Sequence, residues 1–342
     1  MIWRQVFARP SSGIVHLWPD SEERSLSGKR ILVTGATGFL GAHLVARLVE
    51  VGSHVVALIR PASNLWRIQH ILDRVEIVPC DLSHPETANL ESSLSDVQVV
   101  YHLAAAGVDQ SYQDAASIMQ TNVMGTLRLL QLARTRKVER FVYCGSCSEY
   151  GPGTRLSEDS LPAPTSEYGA SKSAAWMLAR TFFQRYGLPV VSLRPFNAYG
   201  PLEAANKLIP HLIIKAIENS KMELTGGEQT RDFVFVDDVV GAFLAAAVIP
   251  DAVGGTFNVC TGLATSIKEV ASAIVELTGS AVQPLFGAVP YRDTEIWTLS
   301  GDPGRARHSL GWSARTSLRN GLDKTMRWFR EHRSRYPMYR AS

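Results

Sequence analysis

From residue 29 onward, short unbroken apolar runs alternate with longer stretches of helical period. "RILVTG", "HVVALIR", "VEIVPCDL", "VQVVYHLAAA", "RFVYCGS" and "PVVSLRPF" have the length and composition of buried strands. Between them, "GAHLVARLVEVG", "SIMQTNVMGTLRLLQLART" and "SKSAAWMLARTFFQRYG" space their apolar residues three and four apart, and the first and last close on glycine. Apolar strands alternating with amphipathic helices predict an α/β fold, a doubly wound parallel sheet covered by helices on both faces. Beyond residue 196 the rhythm breaks at Pro201, Pro210, Pro284, Pro290 and Pro303. That change predicts a smaller C-terminal lobe over the carboxyl edge of the sheet, where open α/β folds bind ligands. The expected division is an extension over 1–28, a dinucleotide-binding domain over 29–196 rejoined by 233–260, and a substrate-binding lobe over 197–232 and 261–335.

Composition narrows the picture only slightly. The chain of 342 residues is 45% hydrophobic and 20% charged, with a net charge of +3, too small to argue for a nucleic-acid or membrane partner. No apolar run reaches the ~20 residues of a membrane span, and the first residues lack the apolar core of a secretory signal. Four cysteines in so long a chain make no disulfide framework, so a reduced, cytoplasmic setting is expected.

Candidate chemistry begins at "LVTGATGFLG", which sets Gly35, Gly38 and Gly41 between the first strand and the first helix. Glycines there let the backbone turn tightly and approach a pyrophosphate resting on helix N-terminal amides. The second strand ends at Arg60 in "ALIRPAS", where an acid would read the ribose hydroxyl of NAD; an arginine suits the extra phosphate of NADP, so NADP(H) is expected over NAD(H). Asp81 ends the third strand beside the expected adenine edge, and "HLAAA" ends the fourth with small side chains. "YGASK" places Tyr168 and Lys172 one helical turn apart on one face. A lysine ammonium draws a phenol toward ionisation at working pH, which makes a proton donor or base out of tyrosine. Cys144 and Cys147 flank Ser146 as a C-x-x-C. Cys80 and Cys260 have no spacing that completes a metal site, so no metal is expected.

In this order, "TGATGFLG", "HLAAA", "TNVMGT", "GSCSEYG", "YGASK", "RPFNAYGP", "RDFVFVDD" and "LGW" make the chain resemble the extended short-chain dehydrogenases/reductases, in the NAD(P)-dependent nucleotide-sugar epimerase/dehydratase/4-ketoreductase group. The resemblance covers roughly residues 29 to 330 and implies a Rossmann-type domain. It makes Ser146, four residues before Tyr150, the catalytic serine beside Tyr168 and Lys172, so the cysteines surround the chemistry rather than perform it. It also implies cofactor contacts at Thr37, Phe39, Leu40, Leu82, Leu103, Ala104, Ala105, Asn122 and Pro195. For a nucleotide-diphosphate sugar it implies contacts at Ser148, Asn197, Leu208, Arg231 and Arg292, although each arginine could equally be solvated or paired with a neighbour such as Asp232 or Asp293.

Family dehydratases carry an Asp-Glu pair directly after the catalytic residue, where this chain has Cys147 and Ser148. Glu149 comes one place late and, on a strand-like segment, would face away. Two readings remain open within the family. The favoured one, resting on Arg60, is reduction of a 4-keto sugar by NADPH, and the other is C4 epimerisation with tightly bound NAD. A non-catalytic NADP(H)-binding protein is the alternative of another class. The resemblance also implies a homodimer whose four-helix interface uses the helices around 115–135 and after Tyr168. Trp176, Met177, Phe182 and Phe183 are expected in the core or at that interface.

Overall fold

The computed structural model describes residues 24–84, 88–108 and 114–332. The expected extension up to residue 23 and the end of the expected lobe at 333–335 lie outside them. The strands are β1 (Arg30–Thr34), β2 (His54–Ile59), β3 (Val75–Pro79), β4 (Val99–His102), β5 (Arg140–Cys144), β6 (Gly153–Leu156) and β7 (Val190–Pro195). They continue as β8 (Asn197–Tyr199), β9 (Thr230–Arg231), β10 (Phe233–Phe235), β11 (Thr256–Val259), β12 (Thr265–Ser266) and β13 (Thr298–Gly301).

Seven strands form one sheet in the order β11-β7-β5-β4-β1-β2-β3. The pairings of β1 with β2 and β4, of β2 with β3, and of β5 with β4 and β7 are all parallel. Chain direction across the sheet reverses at β1, so the carboxyl ends of β1 and β4 flank the switch point where such sheets bind ligands. Every residue of β4, β5 and β7 is buried, as strands covered on both faces must be. The helix Phe39–Glu50 buries Leu44, Val45, Leu48 and Val49. Trp176 and Phe182 join Leu129, Phe141 and Tyr143 in one core cluster with Phe183 packed against it, whereas Met177 is 46% exposed.

Two compact units divide the described chain. One runs to Ser148 and takes in Pro164–Leu193 and Val240–Thr256; the other holds Glu149–Ala163, Arg194–Val239 and the chain from Phe257 onward. Residues 149–163, 194–196, 233–239 and 257–260 of the expected dinucleotide-binding domain fall in the second unit, and strand pairing accounts for two of these shifts. β6 lies in the second unit because it pairs with β13, in a four-stranded sheet ordered β12-β9-β13-β6. Phe233 to Val239 lie there too, because β10 pairs with β8. Among the described residues no helix is long and apolar enough to cross a membrane.

Candidate active site

Ser146, Tyr168 and Lys172 all fall in the first unit. β5 ends at Cys144, and a single 3-10 turn, Cys147–Glu149, follows the serine. This turn corrects the expected strand-like continuation. Ser146 is 9% exposed, and its Oγ accepts the Ser148 amide at 3.1 Å, which fixes the side chain. Tyr168 enters the helix Glu167–Tyr186 in its first turn, started by Ser166, whose hydroxyl accepts the Gly169 amide. A Cβ on Gly169 would stand 2.3 Å from the Ser148 carbonyl oxygen, so only glycine lets this turn of helix close on the Ser146–Ser148 segment. No local pattern in the sequence marks that glycine, whose contact lies 21 residues away. Lys172 is 2% exposed, with Nζ 4.8 Å above the Tyr143 ring, while the Tyr143 hydroxyl donates to the Lys172 carbonyl at 3.1 Å. An aromatic face offsets part of the cost of burying an ammonium.

The glycine loop fits a dinucleotide. Gly35 has φ +69°, and a Cβ there would lie 2.7 Å from the Ala104 amide nitrogen, so the loop presses against the backbone of Leu103 and Ala104. A Cβ on Gly41 would lie 2.1 Å from the Gly35 carbonyl oxygen. Gly38 caps the helix Phe39–Glu50 with no side-chain hydrogen bond, so the first helical amides are left for a phosphate to meet. Thr37, Phe39 and Leu40 are half-buried on this loop, as are Leu103, Ala104 and Ala105 at the end of β4. Leu82, by contrast, is buried in the core. Arg60 is exposed at the end of β2. Partial burial would raise the Asp81 carboxyl, but the Ser83 hydroxyl and amide, at 2.7 and 2.9 Å, together with the charges of Arg60 and His84, hold it below its usual range. A second cation, absent from the sequence reading, touches the loop: Arg67, 9% exposed, donates Nη1 to the Thr37 carbonyl at 3.3 Å.

Asn122 lies on a π-helical turn, Gln120–Met124, between the helices Ala115–Met119 and Gly125–Thr135. Its amide clamps the Ala106 backbone, accepting from the nitrogen at 2.7 Å and donating to the oxygen at 3.0 Å, and reaches the Ser171 hydroxyl at 2.8 Å. Such turns are frequent at functional sites, because the extra residue turns side chains off the regular face. Beneath lies His102, fully buried, held down to about 3 by burial and then by the charge of Lys172.

The remaining acid of the serine segment is spoken for. Glu149 is completely buried, and its carboxylate accepts Arg194 Nε at 2.8 Å. Arg194 also donates to the Tyr150 hydroxyl at 2.8 Å, which in turn donates to Asn258 at 2.7 Å. This network gives the Glu149 carboxylate a buried cationic partner in Arg194. All four cysteines are buried thiols, and among the described residues no cluster of metal-ligating side chains exists.

The expected substrate residues, apart from Ser148, belong to the second unit, as does Pro195, which ends β7. Asn197 opens β8, Leu208 opens the helix Leu208–Ile217, and Arg292 is exposed. Arg231 donates to Glu295 at 3.0 Å and to the Ile296 carbonyl at 2.6 Å. Its carboxylate partner is thus Glu295 rather than the adjacent Asp232, whose oxygens accept the Thr261 and Gly262 amides instead.

Over 314 residues the chain is 36% identical to the UDP-glucose 4-epimerase of Mycolicibacterium smegmatis, covering 88% of this chain and 98% of that one. Epimerase Mth375 of Methanothermobacter thermautotrophicus superposes with a TM-score of 0.86 at 30% identity, over 94% of this chain and 97% of that one. The UDP-glucuronic acid 4-epimerase of Bacillus cereus, solved with UDP-glucuronic acid and NAD, gives a TM-score of 0.80 at 30% identity over 88% and 99%. Residues 31–260 match the family described as NAD dependent epimerase/dehydratase, and the chain belongs to that family.

Proposed function

We propose that this chain interconverts the C4 epimers of a UDP-sugar and keeps NAD bound through the cycle. The observation that carries the proposal is that Ser146, Tyr168 and Lys172 fall in one unit, while Glu149 is buried against Arg194 in the other. A serine, tyrosine and lysine suffice to move a proton on and off a sugar hydroxyl, whereas 4,6-dehydration needs a further acid and base. The only carboxylate of the serine segment is locked to Arg194. Relatives that act at C4 of UDP-sugars add weight.

Under this reading Tyr168 Oη takes the proton of the sugar 4-hydroxyl and returns one when the 4-keto sugar is reduced on its other face. Ser146 Oγ donates to the 4-oxygen and holds it in line. Lys172, buried one helical turn on, stabilises negative charge on Tyr168 and reaches the nicotinamide ribose. Bound NAD supplies the hydride acceptor and donor, so no net redox results. Gly35, Gly38 and Gly41 admit the pyrophosphate, Arg67 adds charge beside it, and Asn122 fixes the floor at Ala106. Arg231, Arg292 and Asn197 would hold the sugar-nucleotide diphosphate, with Ser148 and Leu208 against its sugar and base.

Arg60 favours a second reading, reduction of a 4-keto sugar by dissociable NADPH. The charge of Arg60 also acts on the Asp81 carboxyl, after the hydrogen bonds of Ser83. To separate the two, purified protein is incubated with UDP-glucose or UDP-glucuronic acid, with no cofactor added, and followed by proton NMR. Appearance of the C4 epimer supports the proposal; no epimer there, with stoichiometric loss of NADPH in a parallel incubation supplied with a 4-keto nucleotide sugar and NADPH, replaces it by the reductase. We further propose a homodimer through the helices that expose Met119, Met124 and Met177, which a monomeric sedimentation profile would rule out.

A further inference from the structure

We propose that His102 is a positioning residue of this site, a neutral imidazole protonated on Nε2 that ties the strand end beneath the cofactor loop to the helix carrying Tyr168. It rests on the reading above, in which that loop and that helix form one site. The proton positions follow from the bonds. His102 Nδ1 lies 2.7 Å from Thr34 Oγ1, and Nε2 lies 2.7 Å from Thr126 Oγ1. A hydroxyl has one hydrogen, and Thr126 donates its own to the Asn122 carbonyl at 2.5 Å. Thr126 can therefore only accept from the ring, so Nε2 bears the hydrogen. Thr34 Oγ1 accepts the Ala104 amide at 3.1 Å, which leaves its hydrogen to donate to Nδ1. A doubly protonated ring would reverse that bond, leaving the buried Thr34 hydroxyl hydrogen to find another acceptor, and would set a second cation near Lys172.

The bonds continue on both sides. Thr34 immediately precedes Gly35, and the Ala104 amide it holds is the group against which Gly35 packs. On the other side, Thr126 anchors the backbone of Asn122, whose side chain grips Ala106 and Ser171. Ser171 Oγ donates to the Tyr168 carbonyl at 2.8 Å. An unbroken path thus runs from the cofactor floor to the backbone of the proposed proton donor, and the imidazole bridges its two threonines. Neither threonine carries a formal charge, so the path positions groups without adding charge beside Lys172.

Two amide side chains split the bridge. His102→Asn can accept from Thr34 in place of Nδ1 but is too short for Thr126, whereas His102→Gln can donate to Thr126 in place of Nε2 and gives up Thr34. Losing one hydrogen bond is worth about tenfold. With Gln the expected larger loss, about tenfold, is in dinucleotide affinity, titrated by fluorescence with NADH. With Asn the larger loss is in kcat. Equal losses of both quantities in both variants would overturn the proposal. Wild-type protein labelled with 15N in histidine gives an answer that needs neither variant nor substrate: at neutral pH the His102 ring should show the hydrogen on Nε2. A hydrogen on Nδ1, or on both nitrogens, overturns the bridge even where epimerisation is observed. Absence of turnover in wild type would instead count against the proposed function, leaving the NMR and NADH titration to decide this one.

Discussion

Tyr168 and Glu149 are both groups that could move a proton, and their partners decide between them. Tyr168 sits half-buried in the first turn of its helix, one turn from a lysine, while Glu149 is completely buried against Arg194. Tyr168→Phe should lower kcat by ~10²–10⁴, with NADH affinity kept within about twofold. Retained turnover would remove the acid–base assignment. Glu149→Gln should act on stability instead. It leaves the Arg194 guanidinium buried without its counter-charge and should cost about 3–5 kcal/mol in urea unfolding. A loss of turnover with unchanged stability would return Glu149 to the chemistry. His102 makes stability depend on pH. Its folded value, about 3, lies below the ~6.5 of an exposed histidine, so between these values only the unfolded chain takes up the proton. The stability is present above pH ~6.5 and is lost as pH falls. The melting temperature should therefore drop more steeply between pH 7 and 5 in wild type than in His102→Asn, and parallel slopes would contradict the assignment.

At the scale of elements, the glycine loop is a close fit of backbone to backbone. Gly35→Ala puts a methyl group 2.7 Å from the Ala104 nitrogen in a left-handed conformation. Loss of at least about tenfold in NADH affinity is expected, along with a destabilisation of about 1–3 kcal/mol, both read by titration and melting. Binding at wild-type strength would show that the loop does not carry the pyrophosphate. This loop was legible in the sequence because three glycines at fixed spacing between a strand and a helix are a local pattern. The strands β1 to β5 and β7 were legible for the same reason, as runs of apolar residues. The turn Cys147–Glu149 was not, because three residues after a strand look alike whether they extend or coil. Nor was the role of His102, whose partners Thr34 and Thr126 lie 68 and 24 residues away. The same distance in sequence hid the pairing of Arg231 with Glu295, 64 residues on, and the approach of Gly169 to Ser148.

Over the whole molecule, a sheet that reverses direction at β1 places the glycine loop and the end of β4 at one edge, while β5 brings the serine to the same carboxyl side. The family follows from that arrangement together with the ordered motifs; the reaction depends on what becomes of the hydride. The most direct test uses a UDP-sugar deuterated at C4, incubated with the purified protein and a pool of unlabelled NAD, NADH, NADP and NADPH. A retained NAD yields a C4 epimer that keeps its deuterium, because the same bound nicotinamide takes and returns it. Deuterium found in the soluble dinucleotides, or a product carrying hydrogen at C4, would contradict the retained-NAD cycle and point to a reductase.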